Sequence, residues 1–198
     1  MALTYSRTIT PGTKAPAFDL PAANPPEDAP ERRYTLDDFA DAEALVVVFM
    51  CNHCPYVVHI EDALIDVAKA YRPKGVAFVG ISANDAEAYP QDAFDEMTER
   101  AREKGYPFPY LYDESQETAK AYGATCTPDL YVFDRDRKLV YHGRFDATRP
   151  RQGMTADGSD LRRALDELLE TGTVTTEPFP SMGCNIKWKP GNEPDYWR

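Results

Sequence analysis

Ala44-Leu45-Val46-Val47-Val48-Phe49-Met50-Cys51-Asn52-His53-Cys54-Pro55 is the stretch on which the fold turns. Its first seven residues are apolar and rich in β-branched side chains. They lack the alternation of a half-solvated strand, so they read as a strand buried on both faces. After Pro55, the residues Val57, Ile60, Leu64 and Ala68 fall on one stripe, which Val58 and Ile65 widen. That spacing predicts a helix from Pro55 to Tyr71. Two cysteines separated by two residues therefore stand at the junction of a buried strand and a helix.

Working outward, Val76-Ala77-Phe78-Val79-Gly80-Ile81-Ser82 reads as a second buried strand. Pro90, then Phe94, Met97 and Ala101, then Gly105, spell a helix with its start and stop signals. Tyr110-Leu111-Tyr112 is a short strand, and residues 113–122 form a short helix closed by Gly123. Leu130-Tyr131-Val132-Phe133 and Leu139-Val140-Tyr141 flank the polar Asp134-Arg135-Asp136-Arg137, the pattern of a hairpin. Ser159 is expected to cap a last helix whose face is Leu161, Leu165, Leu168 and Leu169, with Gly172 after it.

Residues 11–31 carry Pro11, Pro16, Pro21, Pro25, Pro26 and Pro30 and read as irregular chain, with Phe18 and Leu20 pinning one short strand. Leu36-Asp37-Asp38-Phe39 reads as a helical turn. Beyond residue 172 there is no periodicity. Phe179, Ile186, Trp188 and Trp197 are nonetheless too apolar for a loose tail, so the tail is expected to dock. The reading divides the chain into an N-terminal segment (1–40), a core (41–171) and a packed tail (172–198). Strand–helix alternation implies parallel pairing through right-handed crossovers, and the hairpin adds an antiparallel edge. The expected class is α/β, a mixed central β-sheet with helices on both faces.

A chain of 198 residues with 42% apolar and 28% charged residues suits one domain with a modest extension. Acidic residues outnumber basic ones, 33 to 22, for a net charge of −11. That charge repels phosphate backbones, so neither nucleic acid nor an anionic membrane is expected as a partner. No run is apolar and long enough to span a bilayer. The first residues, Met1-Ala2-Leu3-Thr4-Tyr5-Ser6-Arg7, lack a basic segment followed by an apolar one, so no secretory signal is read and a cytoplasmic location is expected. Four cysteines are too few for a disulfide-stapled scaffold, and in a reducing compartment such cysteines point to chemistry.

The strongest chemical signal is Cys51-Asn52-His53-Cys54. Two intervening residues bring the sulfurs within disulfide reach. Cys51 is expected at the helix N-terminus, where exposed N–H groups and the helix dipole stabilise a thiolate. A protonated His53 would lower its pKa further, favour the dithiol and make the disulfide the better oxidant. Cys54, one turn inside, is expected to be more buried and less acidic, the resolving partner. The plainer alternatives are two packed cysteines and a surface histidine. The second signal is Cys126-Thr127-Pro128, just before a strand. It points to a fixed Thr127–Pro128 bond, open to the cis form, whose loop offers a backbone edge to a substrate chain. The alternative there is a simple turn proline.

Together, Gly12-Thr13-Lys14-Ala15-Pro16-Ala17-Phe18-Asp19-Leu20, the Cys51-to-Cys54 motif and Thr127-Pro128 resemble the thioredoxin-like superfamily. More closely they resemble the redoxin (AhpC/TSA) group, over roughly residues 10–170. Met182-Gly183-Cys184-Asn185-Ile186-Lys187-Trp188-Lys189 resembles the peroxiredoxin-like proteins that carry a Cys-x-x-Cys. The resemblance implies a thioredoxin-like fold with an N-terminal extension and a docked C-terminal tail, the cis-proline loop lying against the two cysteines. It also marks departures. Met50 and Asn52-His53 stand where thioredoxins have Trp and Gly-Pro, and the histidine before the second cysteine is similar to the oxidising disulfide isomerase and DsbA types. Laid on the peroxiredoxin pattern Pro-x-x-x-Thr/Ser-x-x-Cys, the proline position is Val47 and the hydroxyl position Cys51, so both peroxide-site positions are lost.

The leading expectation is a thiol–disulfide oxidoreductase with no cofactor and no bound metal. Cys51 is the nucleophile, Cys54 resolves, His53 tunes the pair, and Thr127 and Pro128 meet the substrate. Its partners would be protein or low-molecular-weight thiols and disulfides and an unidentified electron donor or acceptor. A thiol peroxidase is the alternative. A metal-handling protein binding copper through Cys51, His53 and Cys54, completed by Cys126 or Cys184, is a further one. Cys126 and Cys184 are read either as auxiliary redox cysteines or as packing. Arg144 is read as a cation near the site or a surface residue, and His59 as a solvent or packing residue.

Overall fold

In the computed structural model, residues 3–197 are described. Met1 and Ala2 of the N-terminal segment and Arg198 of the tail lie outside them. In chain order the strands are β1 (Leu3–Tyr5), β2 (Asp19–Pro21), β3 (Arg33–Thr35), β4 (Ala44–Phe49), β5 (Val76–Ser82), β6 (Tyr110–Tyr112), β7 (Cys126–Thr127), β8 (Asp129–Phe133), β9 (Leu139–Gly143) and β10 (Met182–Asn185). The α-helices are α1 (Pro55–Tyr71), α2 (Phe94–Lys104), α3 (Glu117–Tyr122) and α4 (Ser159–Thr171). A five-stranded mixed sheet runs β6-β5-β4-β8-β9. β4, β5 and β6 are parallel neighbours, while β8 and β9 run antiparallel.

β4 is central, and all of its residues are buried. Successive side chains of a strand point to opposite faces. Ala44, Val46 and Val48 enter one core, shared with Val57, Ile60 and Leu64 of α1, Met97 of α2 and Leu161 and Leu165 of α4. Leu45, Val47 and Phe49 enter the other, with Ala119 and Tyr122 of α3, Phe18, Ile186 and Trp188. A strand covered on both faces has no reason to alternate. That is the physical basis of its unbroken apolar run. The expected mixed sheet with helices on both faces is present.

Local differences have local causes. Pro90 opens a 3-10 turn, Pro90–Asp92, and the α-helix proper starts only at Phe94, because Ala93 is extended (ψ 155°). The short helix expected over 113–122 is confined to α3. Ser159 is the first helical residue of α4, and its cap is Gly158 at φ 67°. β3 pairs with β2 in a small hairpin that the proline-rich composition concealed. In the tail, Ile186 and Trp188 are buried as expected, but Phe179 is exposed and is covered on one side by Arg144.

The tail also contains a strand. β10 lies between β1 and β7 in a three-stranded antiparallel sheet, separate from the central one. Among the described residues, no helix is long and apolar enough to cross a membrane.

Candidate active site

β4 ends at Phe49, and the Met50 N–H still donates to the Ile81 carbonyl (2.9 Å), so the chain leaves the sheet at a fixed point. Residues 51–54 then bend, and α1 begins at Pro55 with Cys54 as its extended N-cap (φ −69°, ψ 120°). Proline suits this first helical position because its missing N–H would have had no helical partner. All four cysteines are buried thiols. Cys51 and Cys54 are in hydrogen-bond contact, and Cys54 is in the same contact with Cys184, so Cys54 is the middle of three sulfurs.

The position of the cap corrects the expected electrostatics. The helix terminus acts on Cys54, not on Cys51. Hydrogen bonds from the Cys184 and Cys51 thiols, and then smaller ones from the Thr127 side chain and the Val57 N–H, hold the Cys54 thiol well below the ordinary value against its burial. The Thr127 carbonyl oxygen, 3.1 Å from Cys54 Sγ, accepts from the protonated form and works the other way. Donating to Cys54 is what most raises the Cys51 pKa, followed by burial and the charge of Asp92. The acidity of the pair is thus biased towards the inner sulfur. Nor is Cys51 open: it is 2% exposed, against 0% for Cys54.

Asp92, absent from the sequence reading, explains why Cys51 lacks help from the turn. Its fully buried carboxylate accepts the backbone N–H groups of Asn52 (2.8 Å) and His53 (3.3 Å) and the side chain of Asn84 (2.7 Å). His53 Nδ1 lies 2.6 Å from the same carboxylate, and the imidazole stacks on Tyr89 at 5.4 Å. With Asp92 as acceptor, Nδ1 carries the hydrogen. His53 is therefore held by a carboxylate whose charge opposes any cationic effect on Cys51. His53 Nε2 is buried with no hydrogen-bond partner among the described residues. The sequence signal for Asp92 was weak, an acidic residue two positions after Pro90.

Thr127–Pro128 is a cis peptide. Thr127 reaches both cysteines of the pair: its Oγ1 lies 3.6 Å from Cys51 Sγ, and its carbonyl bonds Cys54 as above. The expected substrate edge exists, but β10 occupies it, with Cys184 opposite Thr127 and Asn185 opposite Cys126. Cys126 points to the other face of β7 from Thr127, by the alternation of a strand. Its Sγ lies 3.6 Å from the Pro128 carbonyl oxygen, and burial pushes its thiol well up. The structure brings Cys51, His53, Cys54, Thr127, Pro128 and Cys184 together and leaves Cys126 outside the sulfur cluster.

Arg144 is paired with Asp160 (2.6 Å) and lies over Phe179, and His59 bonds Thr148 (2.8 Å). Both line a cavity of 170 Å³ that touches Pro128 and Met182 and includes none of the four cysteines. The one group of metal-ligating type among the described residues is Cys51, His53 and Asp92, with donor atoms within 4.8 Å of one another. It differs from the Cys51, His53 and Cys54 set expected for a metal-handling protein. The four hydrogen-bond donors already on Asp92 compete with any ion there.

Residues 11–142 match the AhpC/TSA family. The chain belongs to the AhpC/TSA family. The match spans β2 to β9 and so contains the dithiol and the cis-proline loop, while β10 lies beyond it. The chain is similar to a hypothetical protein of Sinorhizobium meliloti 1021 over nearly the whole length. They share 47% identity and a TM-score of 0.90, covering 95% of this chain and 100% of the other. It is also similar to a Mycobacterium tuberculosis protein named "Putative peroxiredoxin Rv2521", 28% identical over 152 residues, covering 70% of this chain and 87% of that protein. The thioredoxin domain of a thiol-disulfide oxidoreductase from Bacteroides vulgatus shares the fold at a TM-score of 0.60 and 17% identity, covering 82% of this chain and 100% of that domain. The redoxin family and the thioredoxin-like fold expected from the sequence are both present, and the family points to oxidoreductase activity.

Proposed function

We propose that the protein is a thiol–disulfide oxidoreductase that cycles Cys51 and Cys54 between dithiol and disulfide. The carrying observation is the contact of these two sulfurs at the start of α1, both touched by Thr127 of the cis-proline loop. Cys51, in contact with the Thr127 hydroxyl of the cis-proline loop, is taken as the sulfur that meets the substrate. It attacks one sulfur of a substrate disulfide, its proton passes to the Cys54 thiolate, and the first substrate thiolate leaves. Cys54 then gives up its proton to that leaving thiolate and attacks Cys51 Sγ. This breaks the mixed disulfide, forms Cys51–Cys54 and releases the second substrate thiolate. Each turnover thus reduces one substrate disulfide by two electrons, supplied by the dithiol.

The test is dithiothreitol-driven reduction of glutathione disulfide by Cys51→Ser and Cys54→Ser. Both variants should lose turnover above the uncatalysed rate. Undiminished activity in Cys51→Ser would remove this mechanism.

One observation favours a second reading. The sulfur with the lowered pKa is Cys54, which occupies the peroxide-reacting position of the peroxiredoxin pattern, and a relative carries the peroxiredoxin name. In that reading peroxide oxidises Cys54 to a sulfenic acid and a neighbouring thiol condenses with it, releasing water. The rate of reduced protein with hydrogen peroxide separates the two. A rate no faster than that of an ordinary thiol leaves only disulfide exchange.

A further inference from the structure

We propose that β10 is a built-in pseudo-substrate strand, and that its Cys184 is a third redox sulfur which exchanges with Cys51 for the bond to Cys54. This rests on the dithiol reading above and extends it to the substrate class.

An extended chain is recognised at an open strand edge by backbone pairing. The edge beside the cis-proline is β7, and the protein's own tail fills it. β1 pairs with the far side of β10, Leu3 opposite Cys184 and Tyr5 opposite Met182, so the strand is held from both edges. Gly183 makes the fit possible. A Cβ there would lie 2.0 Å from the Thr127 carbonyl oxygen, the same oxygen that stands 3.1 Å from Cys54 Sγ. The next residue, Cys184, is 4% exposed and packs in one core cluster with Cys51 and Cys54. Its thiol is hydrogen-bonded to Cys54. A cysteine thus sits on a strand paired to the cis-proline edge, against the inner active-site sulfur, where a bound polypeptide would present its own.

The exchange conserves electrons. Starting from the Cys51–Cys54 disulfide, the Cys184 thiolate attacks Cys54 Sγ. The Cys51–Cys54 bond breaks, and Cys51 leaves as a thiolate that takes up the proton Cys184 released. The products are a Cys54–Cys184 disulfide and a Cys51 thiol, with no external oxidant consumed. Cys51 is thereby returned to its thiol form while the oxidising equivalent is held by Cys54 and Cys184. Because the edge is filled, the substrate that reaches Cys51 is a low-molecular-weight thiol or disulfide rather than an extended polypeptide.

The test is disulfide mapping of the full chain after equilibration with glutathione disulfide, acid quenching, thiol blocking and digestion without reduction. Wild type should yield Cys51–Cys54 and Cys54–Cys184 linked peptides, Cys51→Ser mainly the second, and Cys184→Ser only the first. Cys54 recovered from folded Cys51→Ser only as thiol or glutathione adduct would overturn the proposal. Absence of the Cys51–Cys54 peptide from wild type would instead contradict the dithiol reading, whatever Cys184 does. Cys51→Ser combined with Gly183→Ala guards the structural half. The linked Cys54–Cys184 peptide should fall at least tenfold, and full retention would show that docking of β10 does not bring the sulfurs together.

Discussion

β4 and β10 each deliver a cysteine to the same sulfur cluster, by opposite means. β4 is central in the five-stranded sheet, six residues long and buried throughout, and Cys51 follows at its end. β10 is four residues long, outside that sheet, half-buried at Met182 and Asn185, and carries Cys184 within it. The first is held by apolar surface on both faces. The second is held by ladder bonds to two short strands and by one close approach at Gly183. Hydrophobic burial makes a position rigid and costly to disturb. Edge pairing makes it specific and easier to release. A site with one sulfur on each kind of support has a fixed half and an exchangeable half.

The largest effect should come from the fixed half. Phe49→Ala empties a fully buried aromatic site and should cost about 3–5 kcal/mol. Denaturant unfolding measures it, and a loss below about 1 kcal/mol would break the contrast. Gly183→Ala should cost less, about 1–3 kcal/mol, since it overpacks a peripheral contact. It should also shift specificity: reduction of a polypeptide disulfide such as insulin should rise relative to reduction of glutathione disulfide. An unchanged ratio would mean that the occupied edge does not select the substrate.

These two strands also differ in how readable they were. The unbroken apolar run of β4, the single stripe of α1 and the run Val76–Ser82 each reflect burial, which composition and spacing record directly. The family motifs, the mixed sheet and the cysteine pair were legible for the same reason. β10 was not. Met182-Gly183-Cys184-Asn185 has no alternation, and its glycine acquires meaning only when the Thr127 carbonyl is placed beside it. Asp92 was hidden likewise, because its partners Asn52 and His53 lie some 40 residues earlier in the chain. The electrostatics of the pair were not legible because Cys184, about 130 residues away in sequence, is the main partner that lowers Cys54, and a helix starting at Pro55 adds its terminal N–H groups to Cys54 rather than Cys51.

The lowered Cys54 pKa yields a pH prediction. The Cys54 pKa is depressed in the folded protein, so its thiolate should persist at about pH 6, where an ordinary thiol is protonated. Its contribution to stability is complete above the unfolded thiol value and is lost as pH falls through the folded one. Ultraviolet thiolate absorbance of the reduced protein should therefore remain at that pH and vanish in Cys54→Ser. Equal titration of both proteins near the ordinary thiol value would refute the assignment. A smaller effect is expected at Asp92. Asp92→Asn removes a charge that raises the Cys51 pKa, so alkylation of Cys51 in a Cys54→Ser background should shift to lower pH. No shift would leave Asp92 with a purely structural part.

The most direct test of the account is a redox titration of the wild-type protein in glutathione buffers, read by the Cys51–Cys54 linked peptide. This peptide should accumulate in one two-electron transition, before any link involving Cys126. A protein that reaches the most oxidising buffer with Cys51 and Cys54 still unlinked to each other would contradict it.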